Sequence, residues 1–204
     1  MFHVKHSGVA DIDIAPEARA RLDRFTELLL RWNARINLIS RADEAALWPR
    51  HILDSVQLVP LLPTPSGTLI DLGSGAGFPG LILAILTPWR VHLVEADQRK
   101  AAFLREAGRE AGVEISVHAV RAETLQLPPA QVVSARALAP VAELLQLAAP
   151  LLATDGVCLF PKGRNADAEL TSAAARWHMR VERFPSHTSP GATLLRISEI
   201  RRAG

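Results

Sequence analysis

The sequence predicts an α/β protein with a doubly wound, mostly parallel sheet, an antiparallel C-terminal hairpin and a helical N-terminal extension. Three observations predict it. Short apolar runs alternate with helical patterns after residue 67, which is the signature of a parallel sheet covered on both faces. A glycine-rich turn joins the first run to the next helix. The last two runs follow one another with no helix between them.

The extension comes first. Leu22, Phe25, Leu29 and Trp32 recur at three- and four-residue steps between Pro16 and Asn33, and Pro16 suits a first helical turn. A second helix is expected over 43–59. The proline-dense stretch Pro60–Gly67 cannot continue a helix and reads as a linker. The chain thus divides into an extension, residues 1–63, and a core, residues 64–204, that forms one compact unit. In the core, strands are expected at Thr68–Leu72, Val91–Ala96, Ile115–Val120, Gln131–Ala137 and Gly156–Phe160. Helices are expected at Pro79–Leu86, Gln98–Ala111, Pro140–Leu152 and Asn165–His178. The hairpin pairs Met179–Phe184 with Thr193–Ile200.

Composition narrows the class. Among 204 residues, 49% are hydrophobic and 22% charged, which suits a folded domain and argues against global disorder. The net charge of +2 permits nucleic-acid binding without demanding it. The single cysteine, Cys158, excludes an intrachain disulfide and favours a reduced, cytoplasmic setting. No apolar run reaches the roughly 20 residues of a membrane span, and Met1–His6 lacks the pattern of a signal peptide. A monomer without a membrane partner is expected.

The chemistry concentrates at Asp71-Leu72-Gly73-Ser74-Gly75-Ala76-Gly77-Phe78-Pro79-Gly80, where a buried strand becomes a helix. Glycines there allow a tight turn and the close approach of a ligand. Gly75-Ala76-Gly77-Phe78-Pro79-Gly80 fits G-x-G-x-x-G, a pattern that by itself suits NAD equally. Two carboxylates shift the balance. Asp71 stands beside the turn, where its charge repels a pyrophosphate and suits the cationic sulfonium and ammonium of S-adenosylmethionine (AdoMet). Glu95 ends the second strand, in position to accept from ribose hydroxyls. Asp71, Gly73, Gly75, Gly77 and Glu95 together match the AdoMet-binding pattern of class I methyltransferases, a Rossmann-like fold. Ala122 and Glu123 follow the third strand; they border the same crevice and contact adenine, or Glu123 is a solvated loop acid. An NAD-binding oxidoreductase, or a methyltransferase acting on a small molecule or protein, are the alternatives.

Missing motifs restrict the acceptor. No Asp/Asn-Pro-Pro-aromatic turn follows the fourth strand; that position reads Ser134-Ala135-Arg136-Ala137-Leu138. Cys158 lies within an apolar run and suits core packing better than the activated thiolate that carbon-5 methylation needs. No compact cluster of His, Asp and Glu suggests a metal. Guanine N7 carries a free lone pair and needs none of these devices, only alignment with the methyl group. A cation at guanine O6 would identify the base and leave N7 free. Arg136 and Lys162, each at the end of an apolar run, are the candidates, against the alternative that they are surface residues.

With these residues laid out, the chain resembles the bacterial 16S ribosomal RNA guanine-N7 methyltransferases, the glucose-inhibited division protein B family. The resemblance covers nearly the whole chain. It is carried by Trp32-Asn33-Ala34-Arg35-Ile36-Asn37-Leu38-Ile39, by Arg50-His51-Ile52-Leu53-Asp54-Ser55, by the glycine turn with Phe78-Pro79-Gly80, and by Ser134-Arg136-Ala137 and Pro161-Lys162-Gly163. Ile39 departs from it, where the family has threonine. The resemblance implies AdoMet as methyl donor, with S-adenosylhomocysteine as product, and one guanine of 16S rRNA in the 30S subunit as acceptor. It implies donor contacts at Gly73, Phe78, Ala122, Glu123 and Arg136, which sets a donor-side role for Arg136 against the base-reading role. His51 and Asp54, three apart on one helix face, are a surface pair by spacing alone; the family signature implies that they help build the site. The extension and the C-terminal Arg196, Arg201 and Arg202 are expected to touch RNA.

Overall fold

The computed structural model describes residues 14–203; the reading of Met1–His6 lies outside them. Helix α1 spans Pro16–Asn33 with Pro16 in its first turn, and its buried side is Leu22, Phe25, Leu28 and Leu29. Asn33 then shapes the exit of the chain. Its Oδ1 accepts from the amides of Leu38 (2.8 Å) and Ile39 (3.0 Å), and its Nδ2 donates to Glu44 (2.6 Å).

The second helix expected over 43–59 is broken. A one-turn α2, Arg41–Glu44, is capped by Ser40. A wider π-turn, Trp48–Ile52, comes next, followed by α3, Leu53–Val56, and a 3-10 turn, Val59–Leu61. Pro49 and Pro60 explain the interruptions, since each removes an amide donor and its ring crowds the preceding turn.

The core follows as β1 (Thr68–Leu72), α4 (Gly80–Leu86), β2 (Arg90–Val94), α5 (Gln98–Ala111), β3 (Ile115–His118), β4 (Ala130–Ala135), α6 (Val141–Ala148), β5 (Leu152–Lys162), α7 (Ala166–Ala174), β6 (Trp177–Pro185) and β7 (Thr193–Arg202). The seven strands run in the order β3-β2-β1-β4-β5-β7-β6. The first five are parallel; β7 is antiparallel to β5 and β6. This is the doubly wound sheet with its C-terminal hairpin, and β7 enters between β5 and β6. Most boundaries differ from the sequence reading by a residue or more, and three of these differences bear on the site or the hairpin. Strand β2 stops one residue before Glu95, and β5 begins at Leu152, where α6 was expected to end. Trp177 and His178, expected in α7, open β6 instead.

Helices α4 and α5 cover one sheet face, and α1 packs on both helices. There Leu22 and Phe25 of the extension share a core with Leu81, Val91 and Leu104. Phe25 meets Phe78 edge-on at 5.7 Å and Phe103 at 6.3 Å. The other face is filled by Ile70, Val133, Leu144, Phe160 and Leu195 under α6 and α7. Cys158 belongs to this second core, fully buried within β5, and burial pushes its thiol well above its ordinary pKa.

The strand order reverses between β1 and β4. In an open α/β sheet the carboxyl ends at such a point diverge and leave a crevice. Moving along the sheet edge, the ends of β3, β2, β1, β4 and β5 present Ala122–Glu123, Glu95, the glycine turn, Arg136 and Lys162 in succession.

Candidate active site

The turn after β1 needs its glycines. Gly73, Gly75 and Gly77 have φ of +65°, +53° and +94°, backbone that L-residues rarely adopt. A Cβ on Gly73 would also meet Leu138 at 2.8 Å, whereas one on Gly75 would find nothing nearer than 3.8 Å. Gly75 therefore faces open space. The Phe78–Pro79 peptide is cis, and Pro79 caps α4, which starts at Gly80.

Asp71 is not where the sequence placed it. Its side chain is fully buried behind the turn. One carboxylate oxygen accepts from the Ser134 hydroxyl (2.6 Å) and the other from the Gly80 amide (3.3 Å). Burial pushes its pKa up to about 6, against the lowering effect of those bonds. Asp71 therefore holds the turn from beneath, and its charge reaches the crevice only through the interior. Glu95 sits above the turn, half-buried. It accepts from the Gly75 amide (2.9 Å) with one oxygen and from the Asp97 amide (2.9 Å) with the other. A carboxylate offers about four acceptor sites, so hydroxyl partners remain possible. Ala122 and Glu123 lie on a single 3-10 turn, with Glu123 exposed. Val120 and Leu138, two of the few large apolar side chains left exposed, stand at this same end of the sheet.

On the β4–β5 side of the turn is a cleft of about 910 Å³. Gly73, Gly75, Phe78, Arg136, Lys162, His51 and Asp54 all line it. Gly77, Asp71, Glu95, Ala122 and Glu123 do not; the last three lie along or behind the neighbouring strand ends.

Phe78 organises the cleft floor. The His51 ring stacks on it at 5.0 Å with a 16° tilt, and the Arg136 guanidinium lies 4.9 Å from its centre. The π-turn delivers both partners: it carries His51, and its Arg50 carbonyl accepts from Arg136 (3.3 Å). Burial and the neighbouring Arg136 push the His51 pKa down to about 4, so the imidazole is neutral at physiological pH. Neither ring nitrogen has a hydrogen-bond partner among the described residues; Asp43 stands 3.8 Å from Nε2.

Each cation in the cleft has a carboxylate. Arg136 pairs with Asp54 at 3.5 Å, Arg50 with Asp43 at 3.1 Å and Lys162 with Glu169 at 2.7 Å. Burial works against the charge on Arg136; Asp54, Asp71 and Asp43 offset it. Lys162, 8% exposed, also donates to the Ala139 carbonyl at 2.9 Å, which leaves one of its three N–H groups for a ligand. Glu169 accepts in addition from the first amide of α6, Val141 (2.9 Å).

Asp54 has a second task. Its other oxygen accepts from Thr188 (2.8 Å) and from Gln57 (2.8 Å). Gln57, itself buried, donates to Ser186 and accepts from the His187 amide (3.0 Å). The extension is thereby tied to the β6–β7 loop, more than 120 residues away in sequence. Ser134 entered the sequence reading only within the Ser134-Arg136-Ala137 signature, without a role of its own; Asp43, Gln57, Glu169, Ser186 and Thr188 escaped it. They carry no local motif, and most of their partners are brought up only by the fold. Among the described residues no group of His, Cys, Asp and Glu is arranged to hold a metal, and no helix is long and apolar enough to cross a membrane.

Solved structures share this architecture. A ribosomal protein L11 methylase from Lactobacillus delbrueckii aligns with a TM-score of 0.61 at 15% identity, over 73% of this chain and 78% of that one. The M. jannaschii TYW2 protein, solved with AdoMet, aligns at 0.59 and 14% identity, over 83% and 80%. At these identities the likeness shows the fold, that of the class I methyltransferases. Sequence relatives are nearer. Proteins named ribosomal RNA small subunit methyltransferase G from Gluconobacter oxydans and Granulibacter bethesdensis are 53% and 50% identical. The first match covers 93% of this chain and 97% of the relative, the second 99% and 100%. A family model described as GidB, rRNA small subunit methyltransferase G, matches residues 18–192, which take in most of the extension, the glycine turn and most of the cleft, and the chain belongs to that family.

Proposed function

We propose that the protein transfers a methyl group from AdoMet to N7 of a guanine in 16S rRNA of the small ribosomal subunit. The observation that carries this reading is the pairing of every cleft cation with a carboxylate, next to a glycine turn and a neutral imidazole. AdoMet supplies a methyl carbon on a cationic sulfur, open to attack by a free lone pair. Positive charge therefore moves from sulfur to the purine during transfer. A cleft lined by unpaired cations would oppose that movement; here Asp54, Asp43 and Glu169 offset it.

The residues fit such a donor. Gly75 leaves room for it, Gly73 turns the backbone beside it, Glu95 offers acceptors for hydroxyls, and Ala122 with Glu123 borders the adenine end. Phe78 forms the floor and Arg136 lies over it, Arg136 serving the donor side. The remaining N–H of Lys162 is assigned to guanine O6, an acceptor that adenine lacks at that position. His51 and Asp54 fix Phe78 and Arg136. No proton has to be removed from N7, so the site needs alignment and no general base. Cys158, the chain's only cysteine, is buried in β5 and supplies no thiolate to the cleft.

The test is transfer of labelled methyl from AdoMet to 30S subunits and to naked 16S rRNA from a strain lacking the enzyme. The modified position is mapped by cleavage at 7-methylguanine. One cleaved site is expected. Label on another atom, or no transfer by protein that binds AdoMet, rejects the proposal.

A further inference from the structure

Two exposed banks flank the mouth of the cleft. One is the stretch of the extension from Arg35 to Arg50. Leu38, Ile39, Ser40 and Arg50 line the cleft itself, and Arg41 borders a neighbouring depression that shares Leu38–Ser40 with it. The other bank is the β5–α7 turn with the β6–β7 loop. Gly163, Ser189 and Pro190 line the cleft there, and the Arg164 side chain lies against Gly191. Arg35, Arg41, Arg164 and His187 are exposed, and none forms an ion pair with another described residue. Arg50 is 62% exposed at the side chain and pairs only with Asp43.

The hairpin edge of the sheet differs. Arg180 pairs with Glu199, Arg183 with Asp167 and Arg196 with Glu182, and Arg202 lies over the Trp177 ring. Arg176 and Arg201 on that edge are exposed and have no carboxylate among the described residues, but neither lines the cleft. Unmatched guanidinium groups on both sides of a crevice suit an anionic polymer that crosses it, with one base entering and the flanking phosphates held outside.

We propose that a single-stranded RNA segment lies across the cleft mouth, its phosphates on one side held by Arg41 and Arg50 and on the other by Arg164. The Asp54–Gln57–Ser186–Thr188 bonds set the spacing of the two banks, because they join the extension to the β6–β7 loop. The inference rests on the RNA reading above. It moves the expected RNA contacts away from Arg196, Arg201 and Arg202 to the cleft mouth.

The experiment compares Arg41→Glu/Arg164→Glu with Arg176→Glu/Arg201→Glu, a pair of exposed hairpin-edge residues with the same change in net charge. AdoMet affinity by calorimetry, the half-saturating concentration of 30S subunits, and the salt dependence of RNA binding are measured for each. The cleft-mouth pair should raise the half-saturating concentration about tenfold or more and leave AdoMet affinity unchanged. It should also lower the slope of log affinity against log salt by about 1.4, roughly 0.7 for each phosphate no longer neutralised. The hairpin-edge pair should behave as wild type. Equal effects of the two pairs, or none from the first, overturn the proposal. A wild-type protein that binds AdoMet and methylates no RNA fails the functional reading instead, so the two failures are distinguishable.

Discussion

Asp71 and His51 titrate in opposite senses, which makes each readable alone. Asp71 is an acid whose folded pKa, about 6, is raised above its ordinary 3.8 by burial. Such a group gives its full stabilisation below the unfolded value and loses it as pH rises through 6. In Asp71→Asn that titration is gone while an acceptor for Ser134 remains. The variant's Tm minus the wild-type Tm should therefore rise by roughly 5 °C between about pH 4 and pH 8; a flat difference across that span would contradict the buried, raised carboxyl. His51 is a base lowered from 6.5 to about 4. Its contribution is whole above 6.5 and disappears as pH falls toward 4, so His51→Gln should flatten the acid limb of the stability curve. Gly75→Asp adds bulk and charge where the structure has space. Aspartate tolerates positive φ better than most residues, so circular dichroism should report a native fold while calorimetry finds AdoMet affinity lost. Retained affinity would show that the donor does not use this turn.

Among elements, the strap between α3 and the β6–β7 loop depends on one buried amide. Gln57→Leu leaves the His187 amide without its partner and removes the bonds to Asp54 and Ser186, while Ser186 keeps its bonds to Thr188 and Ser189. Stability should fall by about 1–3 kcal/mol, and amides at the loop should exchange faster while those of β1 do not. Uniform exchange rates across both would count against a strap. Glu169 ties α7 to β5 and to the start of α6. Lys162→Ala should lower kcat well beyond any change in AdoMet affinity, and Glu169→Gln should fall between it and wild type. Wild-type turnover in Lys162→Ala removes the lysine from the mechanism.

For the whole molecule, the extension and the core share one apolar interior. Phe25 of α1 is fully buried between Phe78 of the turn and Phe103 of α5. Phe25→Ala should cost about 3–5 kcal/mol and should weaken methyl transfer too, because Phe78 then loses its backing. A stable variant with full activity would mean that the extension merely rests on the core.

The alternation of apolar runs with helical patterns, and the positive-φ glycines after the first strand, were legible in the residues alone because both depend on neighbours within a few positions. They determined the sheet, its C-terminal hairpin, the turn, and the placing of Arg136 and Lys162 at strand ends. Two readings near the cleft differ from the geometry found there. Residues 43–59 looked like one helix, but Pro49 within them and Pro60 just beyond interrupt it, and the π-turn that results brings His51 onto Phe78. Asp71 looked like a ligand contact from its place in the motif, but Ser134, 63 residues on, turns its carboxylate inward. Which charge meets which partner was decided only by the tertiary structure. Asp54 reaches Thr188 across 134 residues and Arg136 reaches the Arg50 carbonyl across 86. A hydrogen bond acts over about 3 Å, and nothing in the local pattern of a chain states which distant atoms the packing of its core will bring that close.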